Sequence, residues 1–183
     1  MKRRTKRTAA VAAALAATVA VAALLATAAS SSGVTGSTRA AAQATARFHA
    51  LGAAKRAGYG LLKDRQGIAC IAMDGMPAMG AMGVHFASKT LLGDGTLTVA
   101  KPEALVYAPT GSGLRLAAVE YVVLKAQWDA RHASAPELFG HRFNLTPAGN
   151  RFGLPAFYSL HAWIWKQNPA GEFAMWNPKV SCK

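Results

Sequence analysis

Residues 114–124 read Leu-Arg-Leu-Ala-Ala-Val-Glu-Tyr-Val-Val-Leu and form the longest strand-like run of the chain. Alternate side chains of a strand lie on opposite faces of a sheet. One predicted face carries Glu120 among apolar residues, and the other carries mostly apolar residues with Arg115. The first face comprises Leu114, Leu116, Ala118, Glu120, Val122 and Leu124. A carboxylate in an apolar row is costly unless it is paired, hydrogen-bonded, protonated or bound to a metal, so Glu120 is a candidate functional residue.

Turn-forming residues separate this run from other short strand-like runs. We predict further strands at Ala69–Met73, Gly83–Ala87, Ala104–Tyr107 and Tyr158–Lys166. The residues Thr110-Gly-Ser-Gly113 lie at hairpin distance between two of these strands. Runs of this length, joined by Gly, Pro, Asp and Asn, predict a mainly antiparallel sheet.

Helical composition is concentrated at the start of the domain. From Thr38 to about Leu62, Ala, Gln, Arg and Lys dominate and apolar residues can share one stripe, which predicts one amphipathic helix. The segment Ala135–Gly140 is predicted to add a helical turn. The expected fold is α+β, with an N-terminal helix packed on a mainly antiparallel sheet or partly open barrel. It occupies a single domain, residues 39–183.

The first 28 residues have the layout of an export signal. Five basic residues precede an uncharged, alanine-rich run from Thr8 to Ala29, which contains the small-residue cleavage pattern Ala26-Thr-Ala28. We predict a signal peptide at residues 1–28, a flexible linker at 29–38, and a protein that is secreted or held in the cell envelope. The alternative is an N-terminal membrane anchor, because about 20 apolar residues can cross a bilayer.

Positive charge exceeds negative charge throughout the chain, with 21 Lys and Arg against 8 Asp and Glu. Five of the 21 precede the predicted cleavage position, so the mature domain keeps an excess of about eight positive charges, enough to attract anionic polymers or membrane surfaces. The basic residues are scattered singly, without a basic run or an aromatic platform of the RNA-binding type. This distribution argues against nucleic-acid binding.

Cysteine usage agrees with export. Cys70 and Cys182 are the two cysteines of the chain, and an even pair in an oxidising compartment predicts a disulfide. The bond would close a loop of about 110 residues and hold a C-terminus that otherwise frays. A thiolate metal or catalytic site is the alternative, but the close Cys-x-x-Cys spacing is missing.

Several motifs between Phe48 and Cys182 form a specific set. They are GAMGVHF (80–86), PEALVY (102–107), LAAVEY (116–121), LFG (138–140), NRFGLP (150–155), LHAWIW (160–165) and FAMWNP (173–178), followed by VSC (180–182). Together they resemble an uncharacterised family of small secreted bacterial proteins, found largely in actinobacteria. The resemblance implies membership of that family and no particular activity.

Two histidines on other predicted strands can join Glu120. His161 lies in a row with Trp163 and Trp165, and His85 lies on the short strand of the GAMGVHF motif. If the three strands are neighbours, two imidazoles and one carboxylate converge in a pocket. Such a set can bind non-haem iron, zinc or manganese with positions left open for substrate.

Two other interpretations of the same residues remain. The set can work as a metal-free acid–base centre in which Glu120 orients one imidazole. Alternatively, Glu120 belongs to a satisfied structural network with Tyr107, Arg151 or a histidine. A pocket that opens to solvent beside Glu120 would favour an enzyme, and a closed, fully hydrogen-bonded trio would favour a structural role.

A run of methionines gives a second metal hypothesis. Met73, Met76, Met79, Met82 and His85 recur every three residues. Soft thioethers with an imidazole suit Cu(I), which would imply copper carriage or tolerance. Methionine is also a flexible core filler, which is the competing interpretation.

Overall, the sequence predicts a secreted protein that binds a metal ion or small ligand at an internal site of His85, Glu120 and His161. The candidate cofactors are iron, zinc, manganese or copper. One alternative is a small metal-dependent or acid–base enzyme. Another is a non-catalytic envelope protein whose basic surface binds anionic polymer.

Overall fold

The computed structural model describes residues 37–183 of the chain. These residues fall within one compact unit. The predicted signal peptide and residues 29–36 of the predicted linker lie outside the described residues. Within residues 37–183, no helix is long and apolar enough to span a membrane.

Short helices and strands alternate along the described part of the chain. The helices are α1 (Thr38–Thr45), α2 (Leu51–Arg56), α3 (Lys89–Asp94) and α4 (Lys125–Asp129). The strands are β1 (Tyr59–Leu61), β2 (Cys70–Ala72), β3 (Ala81–Ser88), β4 (Ala104–Thr110), β5 (Gly113–Leu124), β6 (Glu137–Leu138), β7 (His141–Arg142), β8 (Asn144–Thr146) and β9 (Phe157–Ala162). Single turns of 3-10 helix lie at Ala46–His49 and Pro77–Met79.

Seven of these strands form one antiparallel sheet. Its order is β1-β3-β4-β5-β9-β8, and β2 also pairs with β3. Strand β1 pairs with residues 86–88 of β3 and β2 with residues 81–84, so the two share one edge of β3. The predicted α+β fold with a mainly antiparallel sheet is confirmed, and the sheet is open rather than closed into a barrel.

Strand β5 confirms the predicted strand, but its alternation is interrupted. Residues 106 and 107 of β4 pair with residues 118 and 116 of β5, so Ala117 is an extra residue that forms a β-bulge. The prediction that Leu114 and Leu116 share a face with Glu120 is therefore wrong. Leu116 packs into the main core with Val119, Tyr121 and Val123, on the face opposite Glu120.

The two faces of the sheet are covered differently. The N-terminal helices cover one face, where Ala41, Phe48 and Ala54 join sheet residues such as Leu105 and Tyr121 in the main core. The opposite face carries a smaller cluster that includes Val106, Ala118, Trp163 and Val180. His85, Glu120 and His161 lie on this second face.

The single helix predicted from Thr38 to Leu62 is wrong, because the segment forms α1, a 3-10 turn, α2 and then β1. The backbone at Ala50 is extended, with φ −83° and ψ 103°. This break lets Phe48 enter the core, where its carbonyl accepts a 2.8 Å hydrogen bond from the hydroxyl of Tyr107. Tertiary packing here overrides a helical composition.

The helical turn predicted at residues 135–140 is also wrong. Strands β6 and β7 form a tight hairpin in which Leu138 pairs with His141. The two loop residues, Phe139 and Gly140, have φ of 56° and 76°. Positive φ at both positions is what a type I′ hairpin turn requires.

The C-terminal segment, residues 163–183, runs back to the start of β3. Strand β9 ends at Ala162 rather than at the predicted Lys166, because the Trp163 N–H donates to the Glu172 carbonyl. Further on, Asn177 and Ala81 exchange two backbone hydrogen bonds. The predicted disulfide between Cys70 and Cys182 is confirmed, and it ties the end of the chain to β2.

A glycine permits this close approach. The Cβ of any other residue at position 80 would lie 2.1 Å from the carbonyl oxygen of Asn177, and Gly80 has a φ of 72°. The segment that passes over Gly80 also carries Met175 and Trp176 to the second face of the sheet, where both line a cavity. The C-terminal motif therefore shapes the candidate site without supplying ligands to it.

Candidate metal centre

The register of the sheet brings His85, Glu120 and His161 together. Glu120 of β5 lies directly opposite His161 of β9. His85 lies on β3, with β4 between it and β5. Ala104 of β4 pairs with Glu120, and its methyl side chain leaves room for the imidazole of His85 to reach the carboxylate. The predicted convergence of the three residues is observed.

The polar atoms of the three side chains lie close to one another. Nε2 of His85 is 3.3 Å from Nε2 of His161 and 3.4 Å from Oε2 of Glu120. Nδ1 of His161 is 3.4 Å from Oε1 of Glu120. One ligand atom from each residue can be chosen such that all three lie within 4.8 Å of one another. The group could therefore hold a metal ion.

These separations are long for hydrogen bonds between the groups. Nitrogen-to-oxygen hydrogen bonds are about 2.7–3.2 Å long, and those to a carboxylate are usually at the short end. Two ligand atoms on a tetrahedral zinc ion, with bonds of about 2.0–2.1 Å, are about 3.3–3.4 Å apart. Two separations of this size surround Nε2 of His85, whereas His161 faces His85 with Nε2 and Glu120 with Nδ1.

Both imidazoles are held neutral. His85 and His161 are each 2% exposed, and burial lowers the pKa of each to about 4. For His85 the Glu120 carboxylate opposes this effect and His161 adds to it. Since a metal binds the unprotonated ring, both residues are in the ligand form at neutral pH and release few protons on binding.

Among the described residues, the ionisable side chains beside the Glu120 carboxylate are those of His85 and His161, and both are neutral. Burial raises the pKa of Glu120, and His85 and the hydroxyl of Ser159 oppose this shift. A buried carboxylate without a cation is costly. A divalent ion would supply the missing charge.

With Glu120 ionised and no metal bound, the contacts of the trio leave one hydrogen-bonding atom without a partner. If His161 donates from Nδ1 to Glu120, its Nε2 accepts from Nε2 of His85. That arrangement leaves Nδ1 of His85 as a buried acceptor without a donor, in agreement with its lack of a hydrogen-bond partner. The structural interpretation instead requires a protonated Glu120 that donates to Nδ1 of His161, and it is the alternative to a bound metal.

Two partners proposed for Glu120 in that interpretation bind elsewhere. Tyr107 lies on the other face of the sheet and donates to the Phe48 carbonyl. Arg151 forms a two-point ion pair with Asp64, through Nη2 at 2.8 Å and Nε at 3.2 Å. The guanidinium holds the pKa of Asp64 below its usual range. The histidines are the predicted partners that do lie beside Glu120.

A partly open cavity of about 300 Å³ adjoins the trio. Glu120 and His85 line it, whereas His161 lies behind them against Trp163. Twelve of the eighteen lining residues are apolar, among them Leu62, Ile71, Val122, Phe157 and Trp176. An ion held by the three residues would face this cavity on its uncovered side.

The methionines of the copper hypothesis are spread over different surroundings. Met76 and Met79 are 50% and 41% exposed in the connection between β2 and β3. Met82 lines the cavity beside His85. The copper site therefore stays a prediction.

Sequence reasoning did not single out Glu103, a second buried acid. It lies directly before β4 and is 1% exposed. Its Oε2 accepts a 2.9 Å hydrogen bond from the N–H of Val122 in β5. Burial raises the pKa of Glu103 to about 8, against the effect of that hydrogen bond. The available signal was an acid directly before the apolar strand-like run Ala104–Tyr107 of the PEALVY motif.

Comparisons of the chain with protein-family models, with curated proteins and with solved structures gave no match. The resemblance to secreted actinobacterial proteins therefore stays a prediction. The function has to be argued from the geometry of the site.

Proposed function

We propose that this protein binds one divalent transition-metal ion through His85, Glu120 and His161, with zinc as the preferred ion. The observation that carries the proposal is the convergence of two buried imidazoles and the Glu120 carboxylate, whose ligand atoms lie within 4.8 Å of one another. Two His and one Glu form a ligand set that catalytic zinc sites use.

Three protein ligands leave one position of a tetrahedral ion open, as in catalytic zinc sites. That position would face the cavity, because Glu120 and His85 line it. A zinc ion there would supply Lewis acidity to a group that enters the cavity. Burial keeps the two imidazoles neutral. This arrangement supports a small metal-dependent enzyme or a metal-assisted ligand-binding protein.

Metal analysis of purified variants tests the proposal. The protein, exported without an affinity tag, is freed of metal, incubated with excess zinc, desalted and analysed by elemental mass spectrometry. We expect about one zinc per chain in the wild type, and at least tenfold weaker zinc binding in His85→Ala, Glu120→Gln and His161→Ala. His141 is exposed and lies outside the site, so His141→Ala is the matched control and should bind like the wild type.

Two results would contradict the proposal. One is a wild-type protein that retains no zinc, iron or manganese after reconstitution. The other is a metal that stays bound when the trio is altered but is lost when Met76 and Met79 are replaced by Leu, which would assign it to the methionine run. Circular dichroism of each variant separates loss of the ligand from loss of the fold.

We further propose that the protein works outside the cytoplasmic membrane. The Cys70–Cys182 disulfide is consistent with an extracellular protein. The export signal predicted at residues 1–28 supports the same location. Determination of the mature N-terminus by mass spectrometry tests this directly. A chain that starts near residue 29 is expected, and a chain that keeps its first 28 residues in the membrane fraction would indicate the anchor.

A second candidate function is the binding of anionic groups at a separate cavity of about 210 Å³. Arg115, Lys166 and Lys179 line it together with Trp165, and no acidic residue does. Within residues 37–183, none of these three cations forms an ion pair with a carboxylate. Cations from three separate segments, unpaired around one concave surface, suit a phosphate-bearing polymer.

Titration with inorganic phosphate, followed by NMR, tests this second candidate. Saturable shifts at the three cations are expected, and they should vanish when Arg115, Lys166 and Lys179 are replaced by Gln. A control that replaces the exposed Lys55 and Lys89 should keep them. Equal responses of the two variants would reduce the effect to general surface charge.

A further inference from the structure

The cavity beside the trio has an apolar wall and a limited volume. Its apolar side chains come from at least six parts of the fold and include Leu62, Ile71, Leu92, Val122, Phe157 and Trp176. A water molecule occupies roughly 30 Å³ in the liquid, so a cavity of about 300 Å³ has room for a molecule of about ten non-hydrogen atoms. Cavities of this size and lining are typical of sites for small organic ligands.

The side chain of Asn150, a polar residue of the wall, has its hydrogen-bonding groups engaged. The side-chain amide of Asn150 donates to the carbonyls of Pro147 and Leu154. Its oxygen accepts from the N–H groups of Phe152 and Leu154. Asn150 therefore organises its own loop and has little capacity left for a ligand.

The charge of Arg151 is also engaged. Its Nε and Nη2 both contact Oδ2 of Asp64, whose other oxygen accepts from the backbone of Gln66 and Ile68. A carboxylate or phosphate on the ligand would have to compete with Asp64 for this guanidinium. The cavity therefore offers no free charge apart from the metal centre itself.

We propose that the molecule bound at the open metal position is small and apolar, ring-sized, and carries a single metal-binding group. This inference rests on the proposed metal site. The metal-binding group would face Glu120 and His85, and the apolar body would lie against Phe157 and Trp176. A second anionic group on the ligand is disfavoured, because the guanidinium of Arg151, the cationic side chain of the wall, is already paired with Asp64.

Two hydroxamates with the same metal-binding group test the proposal on the zinc-loaded protein. Benzohydroxamate carries a phenyl ring, whereas acetohydroxamate carries a methyl group, so the comparison isolates the apolar body. We expect benzohydroxamate to bind roughly thirtyfold more tightly by isothermal titration calorimetry, because the ring removes about 90 Å² more apolar surface from water. A phenyl hydroxamate with a para-carboxylate should lose most of this gain.

A substitution in the cavity wall tests whether the phenyl ring of benzohydroxamate binds there. Trp176→Ala should reduce the preference for benzohydroxamate at least fivefold and leave the zinc content at one ion per chain, since the indole is not a metal ligand. Trp128, which is buried in the main core, is the control: Trp128→Phe should keep the preference.

The outcomes separate this inference from the proposed function. Zinc binding with equal affinity for the two hydroxamates would overturn the inference and leave the metal site standing. A preference that persists in Trp176→Ala at full strength would also overturn it, because the ring would then bind elsewhere. Failure to bind zinc would overturn both, and elemental analysis of the same sample identifies that case.

Discussion

Replacing His161 by Asn changes how the stability of the metal-free protein depends on pH. Burial lowers the pKa of His161 to about 4, whereas histidine in an unfolded chain titrates near 6.5. Between these values the unfolded state takes up a proton that the folded state does not. Acidification therefore favours unfolding, and the stability that His161 contributes above pH 6.5 is lost as the pH falls towards 4.

The size of this effect follows from the two pKa values. Between pH 7 and pH 5 the linkage relation gives a loss of about 2 kcal/mol for one such histidine. His85 has the same lowered pKa and adds a similar loss, while Glu103 and Glu120 act in the opposite direction because burial raises their pKa values. These contributions are shared by wild type and variant and largely cancel between them.

Urea denaturation near pH 7 and pH 5, with a chelator present, measures the difference. His161→Asn should lose about 2 kcal/mol less free energy of unfolding on acidification than the wild type does. His141→Asn alters an exposed histidine and should behave like the wild type. If the pH dependence of His161→Asn equals that of the wild type, the imidazole is not held neutral by burial, and the argument that it is a ready ligand fails.

Three further predictions concern the fold that supports the site. Glu103→Gln should stabilise the protein by about 2 kcal/mol more at pH 7 than at pH 5 in urea denaturation, because burial raises the pKa of Glu103 to about 8 and the wild type therefore loses stability as the pH rises. An equal effect at both pH values would contradict the raised pKa. Replacing Cys70 and Cys182 together by Ser should lower the free energy of unfolding by about 4 kcal/mol, since the bond closes a loop across 112 residues. A loss below about 1 kcal/mol would mean that other contacts hold the C-terminal segment. Gly83→Ala should lower the free energy of unfolding by about 2 kcal/mol or more and weaken zinc binding, because a Cβ there would lie 2.6 Å from a backbone oxygen of β4 at a φ of 100°. Gly111→Ala, with open space around it, is the control and should change neither quantity.

Strand periodicity was sufficient to predict that His85, Glu120 and His161 cluster, because these residues break the pattern. Glu120 stands out as an acid in an apolar row, and two histidines lie on other strand-like runs. The register that brings them together follows from the hairpin at residues 110–113 and from pairing between β5 and β9. The role of Ala104, whose small side chain lets His85 reach across β4, became visible only with that register.

Other features depend on long-range contacts that a pattern does not contain. The bulge at Ala117 reverses the faces of the first part of β5, so alternation alone misplaced Leu116. The break in the helix at Ala50 follows from the burial of Phe48 in the core and not from local helix preference. The ion pair between Arg151 and Asp64 joins positions 87 residues apart, and it decides which charges are available in the cavity.

X-ray absorption at the zinc edge of the reconstituted protein reports which atoms surround the ion and so tests the proposed metal site. Coordination by His85, Glu120 and His161 predicts nitrogen and oxygen neighbours at about 2.0–2.1 Å, with the outer-sphere scattering of two imidazole rings. Sulfur neighbours at about 2.3 Å, or a spectrum without imidazole scattering, would contradict it.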